Sequence, residues 1–102
     1  MEILMAAERY PTKEKAAIEI YGRSGALIAT IKDLSKTGAC LMWEGDEALL
    51  TKGDLLRLTV VLRALRKEHR LNAEVIWIEG KRTGVQFLNS RELLDRMLIR
   101  GV

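Results

Sequence analysis

The amino-acid sequence predicts an all-β domain, a six-stranded antiparallel β-barrel with a C-terminal α-helix. Three observations predict it: apolar and polar residues mostly alternate from residue 15 onward, glycine-containing turns separate the alternating segments, and a helical period replaces the alternation only near the end of the chain. An open β-sandwich is the alternative. The barrel is favoured because a closed sheet has no exposed edge strands that could pair with other chains.

The first four strands follow from the alternation. In the first, Ala16, Ile18 and Ile20 share one face, as a half-buried strand requires. Gly22 and Gly25 then supply a turn, because glycine adopts the positive φ of tight hairpins without strain. The four predicted strands cover residues 15–21, 26–32, 39–43 and 55–62.

A connection and two more strands complete the predicted sheet. Residues 63–72 contain good helix formers, but the segment is too short for an independent helix and lies between two strand patterns. We expect it to form a hairpin connection flanked by strand ends. Residues 73–78 and 84–88 alternate on either side of Gly80, which predicts another hairpin with its turn at that glycine.

The C-terminal residues are predicted to form a helix. Residues 90–100 place four apolar side chains on one helical face, and Asn89 with Glu92 forms a capping-box pattern at the start. This face can either cap the barrel or pair with a second copy of the chain. Its members are Leu93, Leu94, Met97 and Leu98.

Length and composition fit one ordered domain. The chain has 102 residues, 48% of them hydrophobic and 30% charged, which is typical of a soluble globular protein and too short for two cores. Its 17 Lys and Arg against 14 Asp and Glu give a net charge of +3, a mild excess that does not require an anionic partner. No apolar run reaches the ~20 residues of a membrane span, and Glu2 lies where a signal peptide carries a basic residue. We therefore expect a cytoplasmic protein without membrane insertion.

The sequence lacks the residue constellations of common enzymes and metal sites. It has no nucleophile elbow, no zinc-protease motif and no phosphate-binding loop. Its one cysteine, Cys40, lies in an apolar strand and is expected in the core, and its one histidine, His69, is expected on the solvated surface. These two residues cannot assemble a Cys/His metal site or an internal disulfide. We therefore expect a non-enzymatic protein without a cofactor.

One predicted turn carries a denser pattern of polar residues. The segment from Asp33 to Gly38 has the form D-x-S-x-x-G, and Arg9 and Lys13 lie near the start of the chain. Considered alone, the segment can be a simple turn in which Asp33 and Ser35 cap backbone amides and Gly38 adopts the left-handed conformation.

Taken together, these patterns resemble the PilZ domain, a bacterial module that binds the second messenger cyclic di-GMP. That family has an R-x-x-x-R arm, a strand pair, a [D/N]-x-S-x-x-G motif and further strands that close a six-stranded barrel, often with a C-terminal helix. The resemblance extends over roughly residues 8–98 and includes the second motif in full. The later segments A-E-V-I-W at 73–77 and G-V-Q-F at 84–87 resemble the family's closing hairpin.

The resemblance implies that a flexible N-terminal arm, residues 1–14, precedes a barrel with its helix, residues 15–102. The arm carries Arg9 in the first arginine position of the family and Lys13 in the second. Lysine keeps the charge but lacks the planar fork with which arginine pairs bidentately with guanine O6 and N7. Losing one such contact costs about 1–3 kcal/mol, or about tenfold to a hundredfold or more in affinity.

The resemblance also implies a role for each site residue. Arg9 and Lys13 would clamp the phosphates and guanines of cyclic di-GMP. Asp33 would accept hydrogen bonds from a guanine edge, and Ser35 would contact a phosphate or a base edge. Gly38 would keep the turn close to the ligand. Binding would then order the arm and create a surface for a downstream protein, which the sequence does not identify.

Two other functions stay open. A degenerate family member would keep the barrel, lack nucleotide binding, and act through protein contacts in motility or pilus systems. RNA binding through a basic cluster is the other function, but Trp77 and Phe87 are predicted to face inward, which leaves no aromatic platform for single strands. Nucleic acid is therefore the less favoured partner. The basic cluster consists of Arg63, Arg66, Lys67 and Arg70.

Overall fold

The computed structural model describes residues 10–44, 50–62 and 67–101, and only the backbone of residues 61 and 62. Of the predicted features, Arg9 and two members of the basic cluster, Arg63 and Arg66, lie outside the described residues. The described elements are β1 (Tyr10–Pro11), β2 (Lys15–Ile20), β3 (Leu27–Leu34), β4 (Gly38–Trp43), β5 (Leu55–Leu62), β6 (Lys67–Glu79), β7 (Arg82–Leu88) and α1 (Ser90–Arg100).

Six of these strands close into an antiparallel barrel. Around the ring the order is β3, β2, β5, β6, β7 and β4, and β4 pairs back onto β3. The predicted six-stranded barrel with a C-terminal helix is therefore confirmed, and the open sandwich is wrong. Closure gives every strand of the ring two hydrogen-bonded neighbours, which removes exposed edges.

The short strand β1 extends along the barrel beside β3. Tyr10 pairs with Leu34, and the N–H of Thr12 donates a hydrogen bond to the carbonyl O of Lys32 at 3.0 Å. β1 and β2 therefore lie one after the other against the same strand. Residues 10–14 belong to the predicted arm, and the structure places them along β3; the flexibility of the arm stays a prediction.

Alternate residues of the ring strands fill the interior. The inward side chains are mainly β-branched or Leu, which suit a half-buried pleated surface. One buried polar pair is satisfied, since the indole N–H of Trp43 donates to the Thr83 hydroxyl at 2.9 Å. The largest fully buried side chains are Ile18, Ile31, Leu41, Leu56, Leu58, Val75 and Thr83.

Strand β6 is longer than the sequence predicts. It begins at Lys67, whereas residues 63–72 were expected to form a connection and the strand was expected to start at residue 73. Residues 67–72 pair with β5, with His69 opposite the buried Val60. The prediction of a connection was therefore wrong for residues 67–72, because pairing with a neighbouring strand outweighs the low intrinsic strand propensity of this segment.

A β-bulge in β6 changes which side chains face outward. The register with β7 shifts between Val75 and Trp77, so that Ile76 is an extra residue. A bulge reverses the alternation beyond it. Trp77, which strict alternation placed inside, is therefore 41% exposed, and this prediction was wrong. Phe87 packs against the core, as predicted.

Helix α1 is capped as predicted and packs against the outside of the barrel. Asn89 and Glu92 form the capping box, and Leu93 is buried in a small cluster with Leu55 and Leu88. Met97 packs on this cluster, whereas the remaining apolar side chains of the helix are exposed. The exposed side chains are Leu94, Leu98 and Ile99.

An ion-pair cluster fixes the end of α1 to the barrel. Glu74 of β6 accepts hydrogen bonds from Arg96 at 3.0 Å and from Arg100 at 2.7 Å, and Arg100 also donates to the carbonyl O of Gly53. Burial by itself would raise the pKa of Glu74, but the hydrogen bonds from the two arginines outweigh it and lower the pKa. The carboxylate is thus held ionised at the helix junction.

Candidate functional site

The turn between β3 and β4 is organised around the hydroxyl of Ser35. Its Oγ donates to the carbonyl O of Gly38 and accepts from the N–H groups of Thr37 and Gly38, each at 3.2 Å. Its Oγ also lies 3.3 Å from the Thr37 hydroxyl, and a hydroxyl has one donor and two acceptor sites, so contacts within the turn occupy all of them. Ser35 is only 8% exposed. In this conformation its role is to hold the turn.

Gly38 is required by the close approach of two strands. A Cβ built on it would lie 2.2 Å from the carbonyl O of Val85 in β7. The expectation that Gly38 adopts the left-handed conformation was wrong, because its φ is not positive. The described glycines with positive φ are Gly22, Gly25, Gly53, Gly80 and Gly101. The last residue of the motif therefore sets the spacing between β4 and β7.

Asp33 lies beside the N-terminal strand at the end of β3. It follows a register irregularity after Ile31, and it pairs with Pro11 on one side and Cys40 on the other. The residue is half-buried. The structure thus brings together Asp33, the turn and the backbone that leads to Lys13, three features that are separate in the sequence.

The side chain of Asp33 projects from the outer face of the barrel. Its partner Cys40 lies between Ala39 and Leu41, which both belong to the interior core, whereas Cys40 does not. Because side chains alternate along a strand, Cys40 faces outward, and a directly paired residue shares its face. Cys40 is buried, as predicted, and it lies outside the main cluster of interior side chains because it faces outward.

One cross-strand row continues from Asp33 over the outer face. Asp33, Cys40, Gly84 and Trp77 oppose one another in turn on β3, β4, β7 and β6. Neighbouring strands are about 4.8 Å apart, so Asp33 and Gly84 are separated by about 10 Å. This row places an acidic group and an exposed aromatic side chain on one continuous surface.

Three exposed lysines lie close to Asp33 in sequence or in strand pairing. Lys13, Lys32 and Lys36 are all exposed, and each lies on or next to the segment that contacts the end of β3. Arg9 lies outside the described residues, one position before Tyr10, which pairs with β3. Ammonium groups near this strand end attract anions such as phosphate and oppose the repulsion that Asp33 exerts on them.

His69 is not the solvated surface residue that the sequence predicted. It lies opposite the inward-facing Val60 near the end of the barrel, and its Nε2 is buried without a hydrogen-bond partner. It borders a cavity of about 260 Å³ together with Ser35 and Lys36. The prediction failed because it treated residues 67–72 as a connection and so did not assign His69 an inward face.

Trp77 and Gly84 were not predicted as site residues. They border a groove of about 250 Å³ on the outer face, together with Gln86 and the turn residues Thr37 and Gly38. The sequence signal was present, because a Trp before a hairpin and a Gly after it flank the turn at Gly80. The alternation of apolar and polar residues along the strand does not show the bulge that turns Trp77 outward.

The described part of the chain contains neither a metal-binding cluster nor a membrane-spanning helix. In residues 10–44, 50–62 and 67–101, no group of three or more His, Cys, Asp or Glu residues could hold a metal ion. No helix among them is long and apolar enough to cross a membrane.

Nearly the whole chain matches a known protein family. A family model described as PilZ domain matches residues 4–102. A search of curated proteins finds no match.

Solved structures share the fold at low sequence identity. The PilZ domain of CeSA from a cellulose-synthesizing bacterium aligns with a TM-score of 0.65 and 21% identity, over 92% of this chain and 96% of that chain. The PilZ domain of YcgR from Escherichia coli, a structure with c-di-GMP, gives a TM-score of 0.67 and 20% identity, over 92% of this chain and 85% of that chain. An uncharacterized Legionella protein gives a TM-score of 0.51 and 17% identity, over 92% and 90%.

Proposed function

The chain belongs to the PilZ domain family, a family of cyclic di-GMP receptors, and from this premise we propose that it is a cyclic di-GMP-binding regulatory module rather than an enzyme. The proposed site is the outer face at the end of β3. Arg9 and Lys13 bind phosphate and guanine, and Asp33 binds the guanine edge. We place the module in the cytoplasm, the compartment expected from the sequence.

The position of Asp33 is the observation that carries the proposal. Its backbone pairs with Pro11 on β1 and its side chain lies on the outer face, next to the turn that Ser35 holds. A carboxylate there can accept hydrogen bonds from both the N1–H and the N2 amino group of one guanine. The segment that carries Lys13 passes along the same strand end, so one ligand can contact both.

Lysines supply the phosphate contacts in this proposal. Lys13, Lys32 and Lys36 are exposed around Asp33, and each can contact a phosphate oxygen as a point charge. Lys13 occupies the position of the second family arginine and lacks its planar fork. We therefore expect affinity lower by about tenfold or more than with arginine at that position.

Ser35 and Gly38 act through the turn. Their hydrogen bonds and the close approach of Gly38 to Val85 hold the backbone that follows Asp33 in one conformation. A rigid turn loses little conformational entropy on binding, which favours affinity. In this proposal ligand binding orders the predicted arm, residues 1–14, and the new surface then contacts a downstream protein.

Isothermal titration with cyclic di-GMP tests the proposal, with Lys13→Arg as the matched variant. We expect measurable heat from the wild-type protein and tighter binding by Lys13→Arg, since arginine restores the bidentate pair. Absence of heat from both proteins at tens of micromolar ligand would contradict it.

A protein-binding adaptor without nucleotide binding is the second candidate function. Two observations favour it: Lys13 in place of an arginine, and the exposed side chains Leu94, Leu98 and Ile99 on the outer side of α1. Exposed apolar patches commonly mark contact surfaces, either for another protein or for a second copy of the chain. The same titration separates the two functions, because the adaptor gives no heat with cyclic di-GMP.

A further inference from the structure

The end of the barrel beside the β3–β4 turn contains a cavity of about 260 Å³. Four strands contribute its apolar lining, which consists of Leu34, Val60, Leu71 and Phe87. Leu34, Leu71 and Phe87 pack against the core and are nevertheless only half-buried. An apolar occupant that covered these side chains would gain hydrophobic stabilisation.

A polar atom beside this apolar lining lacks a partner. The Nε2 of His69 is buried without a hydrogen-bond partner among the described residues, and His69 lines the same cavity. An unpaired buried nitrogen destabilises the fold, because it has lost its contact with water and gained no bond in exchange. An occupant that bonds to Nε2 would remove this penalty.

The charge around the cavity favours an anionic group. The exposed Lys36 belongs to the lining, and none of the described residues that line the cavity is acidic. The hydroxyl of Ser35 also borders the cavity, but its bonds are used within the turn. A carboxylate can accept one hydrogen bond from an imidazole N–H and another from an ammonium group, so it suits His69 and Lys36 together.

The size of the cavity suits one ring with a short substituent. An apolar cavity of about 150 Å³ holds a benzene molecule, and pockets for drug-sized ligands usually have about 300–1,000 Å³. The volume of about 260 Å³ lies between these two cases. Phe87 adds an aromatic ring to the lining, and a second ring packs well against it in an offset or edge-to-face arrangement.

We propose that this cavity is a binding site for a small aromatic carboxylate. The ring lies among Leu34, Leu71 and Phe87, and the carboxylate accepts hydrogen bonds from His69 Nε2 and Lys36. Phenylacetate, one ring with a carboxymethyl group, is a simple probe of this class.

The site is separate from the proposed cyclic di-GMP site. Leu34 lies opposite the core residue Ala39, so its side chain faces the interior, whereas the preceding residue, Asp33, faces outward. The two sites therefore lie on opposite faces of one strand end, and this inference does not rest on the proposed function. Because Lys36 also lies near the proposed phosphate contacts, cyclic di-GMP is omitted from the binding experiments.

Ordered water is the competing occupant. A water molecule can bond to Nε2 of His69, but it would leave the apolar side chains of the lining uncovered. Buried waters typically make about three hydrogen bonds, and the hydroxyl of Ser35 is already used within the turn. An occupant with an apolar body satisfies more of this cavity than water does.

Nitrogen–proton correlation spectra with increasing phenylacetate test the site, with phenylacetamide as the matched neutral probe. We expect saturable shifts at residues 34–36, 69, 71 and 87 at millimolar phenylacetate. Phenylacetamide has nearly the same shape but no charge, so its affinity should be lower by about tenfold or more.

Two variants test the contacts of the carboxylate. His69→Leu removes the unpaired nitrogen, so it should keep or raise the urea midpoint while weakening phenylacetate binding by about tenfold or more. Lys36→Gln should weaken phenylacetate binding and leave phenylacetamide binding unchanged. Lys52→Gln, the same change at an exposed lysine outside the lining, is the matched control and should bind like the wild type. If His69→Leu does not fold, Lys36→Gln and the two probes decide.

Two results would overturn the proposal. If millimolar phenylacetate gives no saturable shifts, or shifts only residues outside the lining, the cavity is not a carboxylate site and water is the better occupant. If phenylacetate and phenylacetamide bind alike, and neither His69→Leu nor Lys36→Gln changes their affinities, the carboxylate contacts are wrong. Both results leave the proposed cyclic di-GMP function standing, because calorimetry with that ligand tests it separately.

Discussion

Replacing Gly38 by alanine should destabilise the fold through a collision between β4 and β7. The new Cβ would lie 2.2 Å from the carbonyl O of Val85, whereas Cβ atoms essentially never approach closer than 3.0 Å, so the strands must separate by at least about 0.8 Å. The hydrogen bond from the Phe87 N–H to the Thr37 O, now 2.8 Å, would then lengthen to about 3.6 Å and be lost. Overpacking costs about 1–3 kcal/mol and a lost hydrogen bond about 1 kcal/mol. We expect a total of about 2–4 kcal/mol out of the ~5–15 kcal/mol of a typical domain.

Urea unfolding followed by the fluorescence of the buried Trp43 measures this loss. The matched control is Gly80→Ala, at a glycine with φ of +59° and no atom within 4 Å of the added Cβ. That change carries only the cost of the left-handed conformation, about 1–2 kcal/mol. A loss for Gly38→Ala no larger than that for Gly80→Ala would refute the steric account of the motif glycine.

Three further predictions concern the turn, the helix junction and the ligand. Ser35→Ala should lose about 1–3 kcal/mol in urea unfolding, because it removes the acceptor of two turn amides; unchanged stability would show that water replaces the hydroxyl. Because the pKa of Glu74 is lowered in the folded protein, its carboxylate stabilises the fold above the unfolded pKa of about 4.3 and loses this effect as pH falls through the lower folded value. The difference in urea midpoint between wild type and Glu74→Gln should therefore be present at pH 7 and shrink in acid, and a constant difference would contradict this. Lys13→Arg should bind cyclic di-GMP about tenfold or more tightly in calorimetry than the wild type, and equal affinity would show that the position makes no bidentate contact.

Much of the fold follows from local patterns in the sequence. The strand from Leu55 to Leu62 and the helix from Ser90 to Arg100 have the predicted bounds, because each has a clear period and clear end signals, such as the capping box at Asn89. The start of β6 cannot be predicted from such local patterns. Lys67 to Asn72 form a strand only because β5 lies beside them, and that neighbour is set by tertiary structure.

The candidate site was predictable in its motif and not in its geometry. The pattern from Asp33 to Gly38 is local and visible, but the sequence does not show that Ser35 uses its hydroxyl within the turn or that Gly38 meets a neighbouring strand. Trp77 was predicted to face inward because one extra residue in the strand reverses the alternation. Bulges of this kind depend on the pairing partner, so they cannot be predicted from the sequence of one strand alone.

A nitrogen–proton correlation spectrum with and without cyclic di-GMP tests the central claim most directly. The account predicts shifts concentrated in residues 8–14 and 33–38, with the Trp43 indole unchanged. It also predicts that Asp33→Ala, a change at a half-buried position on the outer face, abolishes these shifts while the rest of the spectrum remains that of a folded barrel. A wild-type spectrum that does not change at millimolar ligand, or shifts confined to another face of the barrel, would contradict it.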